Sequence, residues 1–175
     1  LQGQPEREVK AHAQVDRADG RDAGDRPPES RLAQDVQAER KRRSGRLAGR
    51  TALITGASRG IGRAIALALG AAGATVIGTA TTEAGAAGIQ QALDGAGIKG
   101  RGIVLDVTRS EDIATAMSGI EQAFGAVTVL VNNAGITRDN LAMRMKDEEW
   151  QAVIDTNLKA VFTMSRAVMR GMMKA

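Results

Sequence analysis

Cysteine and tyrosine are absent from the 175 residues, and the aromatics come down to one tryptophan and two phenylalanines. Without cysteine there is neither a disulfide framework nor a thiolate metal site, and His12, the one histidine, cannot build a metal centre alone. The shortage of aromatics leaves no platform on which bases would stack. The net charge is +4 and the pI near 10.0, yet opposite charges are interspersed and form no clear basic groove, so nucleic acid is not an expected partner. No apolar run approaches the ~18 residues of a membrane span, and the N-terminus lacks the apolar core of a secretory signal. Membrane association is therefore not expected, and a cytoplasmic location is the default.

Apolar bulk is also missing from one end. Residues 1–45 hold ten Lys or Arg and nine Asp or Glu, with Leu1, Val9, Val15, Leu32 and Val36 as the only large aliphatics. Such a segment cannot bury enough apolar surface to offset its chain entropy, and disorder is expected. A local helix over 30–43, with Leu32 and Val36 four apart, carries the basic run Arg40 to Arg43, which reads as solvated. The acids in the tail argue against a mitochondrial presequence. The chain begins with Leu1, and part of the tail is expected to be translated upstream sequence, the native start lying near Arg46. The fold is expected within residues 46–175.

What is present centres on Thr51 to Arg63, T-A-L-I-T-G-A-S-R-G-I-G-R. A short apolar run meets Gly56, Gly60 and Gly62, and apolar residues resume at helical spacing through Ile61, Ile65 and Leu69. That is strand, turn, helix. Glycines there let the backbone take positive φ and let a phosphate approach the main chain, toward the free N–H groups of the following helix. The same pattern also fits an ordinary tight strand-to-helix turn, and the four-then-two spacing differs from the usual G-x-G-x-x-G.

Further along, Ala74 to Thr79, Gly100 to Val107 and Val127 to Val131 read as strands. Between them lie a Gly- and Ala-rich helical segment from Thr82 to Leu93 and a helix capped by Ser110. Asp147 opens a long helical stretch with Trp150, Ile154, Leu158, Val161, Val168 and Met172 near one face. Alternating strands and helices imply right-handed crossovers and a parallel sheet of the doubly wound α/β class, with four units visible.

In such sheets ligands bind beyond the carboxyl ends of the strands. No Asp or Glu occurs between Gly62 and Glu83, where an acid would grip a ribose in NAD; Thr79 and Thr81 stand there instead, and Arg59 can approach the same pocket. NADP is favoured over NAD. Asp106 suits either an adenine contact or a helix cap, and Asn132, Asn133 and Gly135 also suit a plain turn. Asn157, placed on the Trp150, Ile154, Val161 face, either bonds neighbouring backbone as a brace or holds a water in an active site.

T-G-A-S-R-G-I-G, N-N-A-G and D-T-N-L-K-A-V-F together resemble the short-chain dehydrogenase/reductase family. G-I-T-R-D-N-L-A-M-R-M-K-D-E-E-W is similar to its 3-oxoacyl-[acyl-carrier-protein] reductase branch, and the likeness runs from about Arg46 to Ala175. The resemblance implies a Rossmann-type sheet and NADP(H) as cofactor. It implies that Gly56, Ser58, Arg59, Gly60, Ile61 and Gly62 lie on the cofactor's phosphates and 2′-phosphate and Thr81 by the adenosine ribose. Asp106 and Val107 would then lie at adenine, and Asn133, Ala134 and Gly135 along the nicotinamide-side ribose. Asn157 matches the active-site asparagine that holds a water in a proton relay. The implied substrate is a 3-oxoacyl thioester on acyl carrier protein, and the implied assembly a homotetramer with the last helix in an interface.

Two departures follow from that resemblance. Thr128 replaces a common aspartate, with an effect expected on packing rather than chemistry. More severely, the chain has no tyrosine, whereas the family's serine and Tyr-x-x-x-Lys pair follow a fifth strand. Loss of the tyrosine and its lysine removes the general acid. The expectation is a fragment of a longer enzyme, inactive alone, whose Val127 to Val131 edge makes it poorly soluble or loosely oligomeric. A related reductase of acetoacetyl-CoA or another ketone is the alternative, or a non-catalytic NADP-binding protein if the natural chain ends at Ala175. Lys159, Arg166, Arg170 and Lys174 are expected to be a solvated helix face rather than a surface steering the acidic carrier.

Overall fold

A computed structural model describes residues 45–175. The readings of the tail and of a helix over 30–43 lie outside these residues, apart from Gly45. The elements are β1 (Thr51–Ile54), α1 (Gly60–Ala71), β2 (Thr75–Ala80), α2 (Glu83–Gly95), β3 (Gly100–Val104) and α3 (Ser110–Phe124). They continue with β4 (Val127–Val131), α4 (Asp147–Ile154), a π-helical turn (Asp155–Lys159) and α5 (Ala160–Lys174).

The strands are all parallel, in the order β3-β2-β1-β4. The chain thus winds outward from β1 through β2 to β3, then crosses back to lay β4 on the other side of β1. Successive β1 residues serve opposite layers. Ala52 and Ile54 pack with Ala66, Ile89 and Leu93 of α1 and α2, whereas Leu53 packs with Ile113, Met117, Met164 and Val168 of α3 and α5. β1, buried along its whole length with both faces covered, therefore needs apolar side chains on each side, whereas the edge strand β3 keeps Arg101 exposed. No helix among the described residues is long and apolar enough to cross a membrane.

Several local expectations shift. The second strand begins at Thr75 and reaches Ala80, and the third ends at Val104 rather than Val107. Asp106 is the cause of the second change: its Oδ1 accepts hydrogen bonds from Thr108 N–H (2.9 Å) and Thr108 Oγ1 (2.7 Å), turning the chain off the sheet. Ser110 is not a cap but the first residue of α3; the cap position is Arg109, whose side chain makes no capping bond. Thr82 does cap α2, accepting from Gly85 N–H at 3.1 Å.

The largest shift is in the last helical stretch. The expected stripe stays inside only in part: Val168 is buried and Ile154, Val161 and Met172 are half-buried, and the π-helical turn, by inserting an extra residue, shifts the helical count beyond it. Trp150 and Leu158 are 59% and 63% exposed, and the face α5 buries is Ala160, Met164 and Val168.

Thr128 acts in packing, as expected. The β1–β4 register slips between Thr51 and Ala52, which pair with Val127 and Val129, leaving Thr128 without a ladder partner. Its hydroxyl fills the gap, accepting from Thr51 N–H at 3.2 Å and donating to Thr51 O at 3.4 Å. Thr128→Val keeps the shape but leaves the Thr51 N–H unpaired at a position 5% exposed. A loss of about 1–2 kcal/mol in urea unfolding is the expected result.

Candidate active site

β1 runs into Thr55 and then into Gly56, whose φ of +65° turns the chain beneath the start of α1. Gly60, at φ +56°, opens that helix. Thr55 is 2% exposed and ties this turn to the end of β4. Its Oγ1 accepts the N–H groups of Asn133 and Ala134, each at 2.9 Å. In return Asn133 Nδ2 donates to Thr55 O (2.9 Å) and Gly56 O (3.0 Å). Gly62 packs directly over this knot: a Cβ there would strike the Gly56 carbonyl and lie 2.5 Å from Asn133 Nδ2.

Beyond the carboxyl ends of the strands lies an open cleft of about 830 Å³. Every residue the resemblance assigned to a cofactor lines it: Gly56, Ser58, Arg59, Gly60, Ile61 and Gly62 from the glycine turn, Thr81 after β2, Asp106 and Val107 after β3, and Asn133, Ala134 and Gly135 after β4. The side chains are not all free, however. Asn133 spends its amide nitrogen on strand-end carbonyls, and Asp106 spends Oδ1 on Thr108, so a ligand meets mainly backbone at the first and Oδ2 at the second. Thr79 is buried against the Gly56 N–H, whereas Thr81 is exposed to the cleft.

Asn157 does not line the cleft. It sits in the π-helical turn, exposed rather than packed on an apolar face, and its brace reading matches the geometry. Oδ1 accepts from Ile136 N–H at 2.9 Å and Nδ2 donates to Ile136 O at 2.8 Å. Its neighbours Asp155 and Thr156 do line the cleft, opposite the glycine turn.

The segment between Ile136 and α4 is closed by Glu149. Its Oε2 accepts from Lys146 N–H (2.9 Å) and Asn140 Nδ2 (3.1 Å). The Lys146 N–H, then the Asn140 amide, hold the Glu149 carboxyl below the usual carboxylate range. A depressed acid stabilises the loop above its unfolded pKa, and that contribution is lost as pH falls through the lowered value. Acidification past that point is expected to raise amide exchange at Lys146. Glu149→Gln should show the raised exchange already at neutral pH, with no further acid response.

Thr55 was not singled out from the sequence, nor were Leu105, Thr108, Ile136, Ala152, Asp155 and Thr156 of the cleft wall. For Thr55 a signal existed: a hydroxyl between a wholly apolar strand and a glycine turn has to find a buried partner. Asp155, Thr156 and Ile136 lie in motifs that carried the resemblance without being singled out, and Leu105, Thr108 and Ala152 carry no local pattern.

Residues 50–175 match the short chain dehydrogenase family. Among curated proteins, the 3-oxoacyl-[acyl-carrier-protein] reductase FabG of Pseudomonas aeruginosa is 55% identical over 129 residues, 74% of this chain and 52% of that protein. The protein of the same name from Escherichia coli K12 is 60% identical over 126 residues, 72% of this chain and 50% of that protein. That from Vibrio harveyi is 59% identical over 128 residues, 73% of this chain and 51% of that protein. The chain spans about half the length of the curated relatives it matches. With a parallel sheet wound outward from β1, a glycine turn knotted to the end of β4 and a family match over most of its length, the chain belongs to the short-chain dehydrogenase family.

Proposed function

We propose that this chain is the dinucleotide-binding part of an NADPH-dependent 3-oxoacyl-[acyl-carrier-protein] reductase of fatty-acid biosynthesis. The observation that carries the cofactor choice is the cleft itself: Arg59 and Thr81 open into it, and no carboxylate stands between Gly62 and Glu83 to repel a 2′-phosphate. The fit is supported by Gly62, whose lack of a side chain lets α1 seat directly on the turn, and by the free N–H groups at the start of α1. When bound, the nicotinamide supplies a hydride. The chain's own residues bind and orient: the turn from Gly56 to Gly62 cradles phosphates, Arg59 pairs with the 2′-phosphate, Thr81 lies by the adenosine ribose that bears it, Asp106 and Val107 meet adenine, and Asn133 to Gly135 face the nicotinamide-side ribose. Ile61, 74% exposed in the cleft wall, is apolar cover for a bound ligand. Asn157 holds Ile136, and with it the segment leaving β4, against the π-helical turn on the side where the active-site water relay belongs.

The substrate reading rests on the 3-oxoacyl-[acyl-carrier-protein] reductases that the chain is similar to. The 175 residues contain no tyrosine, so these residues alone offer no phenolic proton donor. The reading also has a cytoplasmic homotetramer; its support is the outer side of α5 and of the π-helical turn before it, where Leu158, Phe162, Met169 and Met173 are all more than half exposed.

Two measurements test the reading. In fluorescence titrations of the chain, NADPH is expected to bind more tightly than NADH. Arg59→Ala should weaken NADPH by about tenfold to a hundredfold with little change for NADH, the worth of a charge-assisted hydrogen bond. Equal affinities for the two would overturn the cofactor choice. In extracts of the source organism, antibodies to this chain should deplete NADPH-dependent reduction of the acetoacetyl carrier-protein thioester. Depletion confined to acetoacetyl-CoA would favour the alternative reductase.

A further inference from the structure

We propose that Thr79 is a positioning residue that sets the cleft's preference between dinucleotides with and without a 2′-phosphate. The inference rests on the dinucleotide reading above and goes beyond it to a residue of the cleft wall that is almost wholly buried and acts through the turn. Arg59, assigned to the 2′-phosphate, and Thr81, assigned to the ribose that carries it, belong to different elements: one follows β1, the other follows β2. Their spacing is settled where the two strand ends touch. There Thr79 makes two bonds to the glycine turn. Its carbonyl accepts Ala57 N–H at 2.8 Å, and its Oγ1 accepts Gly56 N–H at 3.3 Å.

Neighbouring packing makes this contact close. A Cβ on Gly78 would lie 3.0 Å from Ala57 Cβ, so the turn rests directly on the β2 backbone. Thr79 is 1% exposed, which leaves no room for water to take over the hydroxyl's place. Gly56 is held at φ +65°, a conformation its N–H partner helps to select among the many open to glycine. A valine at this position has the same shape and no acceptor. The main-chain bond from Ala57 survives any substitution, so the turn would loosen rather than collapse. The consequence falls on the relative placement of Arg59 and Thr81. NADH, which lacks the 2′-phosphate, is spared.

The test is a pair of substitutions in the 175-residue chain. Thr79→Val is expected to weaken NADPH about fivefold to tenfold while changing NADH less than about twofold, and Thr79→Ser to restore the wild-type ratio. A purely structural role would move both affinities together, or neither. An unchanged NADPH-to-NADH ratio in Thr79→Val, or a Thr79→Ser no better than Thr79→Val, overturns the proposal. Should Thr79→Val fail to show the wild-type circular dichroism, Thr79→Ala is read in its place by the same ratios. Failure of the wild-type chain to bind either dinucleotide sinks the function proposed above instead. Amide exchange at Gly56 then decides the tie on its own: protection lost in Thr79→Val and kept in Thr79→Ser supports it, and protection equal in all three overturns it.

Discussion

Gly62→Ala is expected to abolish dinucleotide binding and to destabilise the fold by about 2–3 kcal/mol, the usual cost of forcing a methyl into a filled site. The added carbon would meet the Gly56 carbonyl and lie 2.5 Å from Asn133 Nδ2. The first of these is backbone and cannot swing aside. Relief requires α1 to lift off the turn, which opens the phosphate cradle and breaks the Asn133 bonds to Thr55 and Gly56 at once. Gly88→Ala is the natural control, because it lies inside α2 with nothing within 4 Å of the added carbon. There alanine should stabilise by up to about 1 kcal/mol through helix propensity. Urea unfolding followed by circular dichroism gives both values, and NADPH titration reads the cradle. Equal stability of the two variants would mean that the Gly62 contact has slack that the distances do not show.

Thr55→Val should cost about 2–4 kcal/mol, the lower part of the range for two buried donors, because the two donors it strands are half-buried. The N–H groups of Asn133 and Ala134 lose their common acceptor, and each unpaired buried donor costs about 1–3 kcal/mol. Thr55→Ser keeps the oxygen and should recover most of the loss. The same change tests the site, since the backbone from Asn133 to Gly135 lines the cleft. Dinucleotide affinity is therefore expected to fall together with stability in Thr55→Val and to return with Thr55→Ser. A variant that unfolds easily yet binds with wild-type affinity would show that the β4 segment is held by something other than this hydroxyl.

These two residues also mark how far the sequence could be read. Gly62 was visible in advance because its neighbours in the chain, Gly56 and Gly60, already spell a strand-turn-helix. Thr55 was not, because its partners are 78 and 79 residues away and nothing local announces them. The cofactor-side residues named from the motifs all came together in one cleft, since each motif sits at a strand end and parallel strands bring those ends to one edge. Asn157 was placed on a buried face by counting at the α-helical period. The π-helical turn defeats that count, and the residue is exposed and bonded to Ile136 instead.

What the sequence by itself determined is the part of this protein carried by local chemistry. Apolar strand runs, helical periodicity and the three glycines of the turn specify a doubly wound parallel sheet. The missing acid between Gly62 and Glu83 specifies the character of the pocket. Only the tertiary structure decided which polar groups remain free for a ligand. Hydrogen bonds between distant strand ends consume the Asn133 amide and the Thr55 and Thr79 hydroxyls, while a local turn takes one Asp106 oxygen. Such pairings depend on sheet order, register and a single inserted residue in a helix, none of which a linear chain displays.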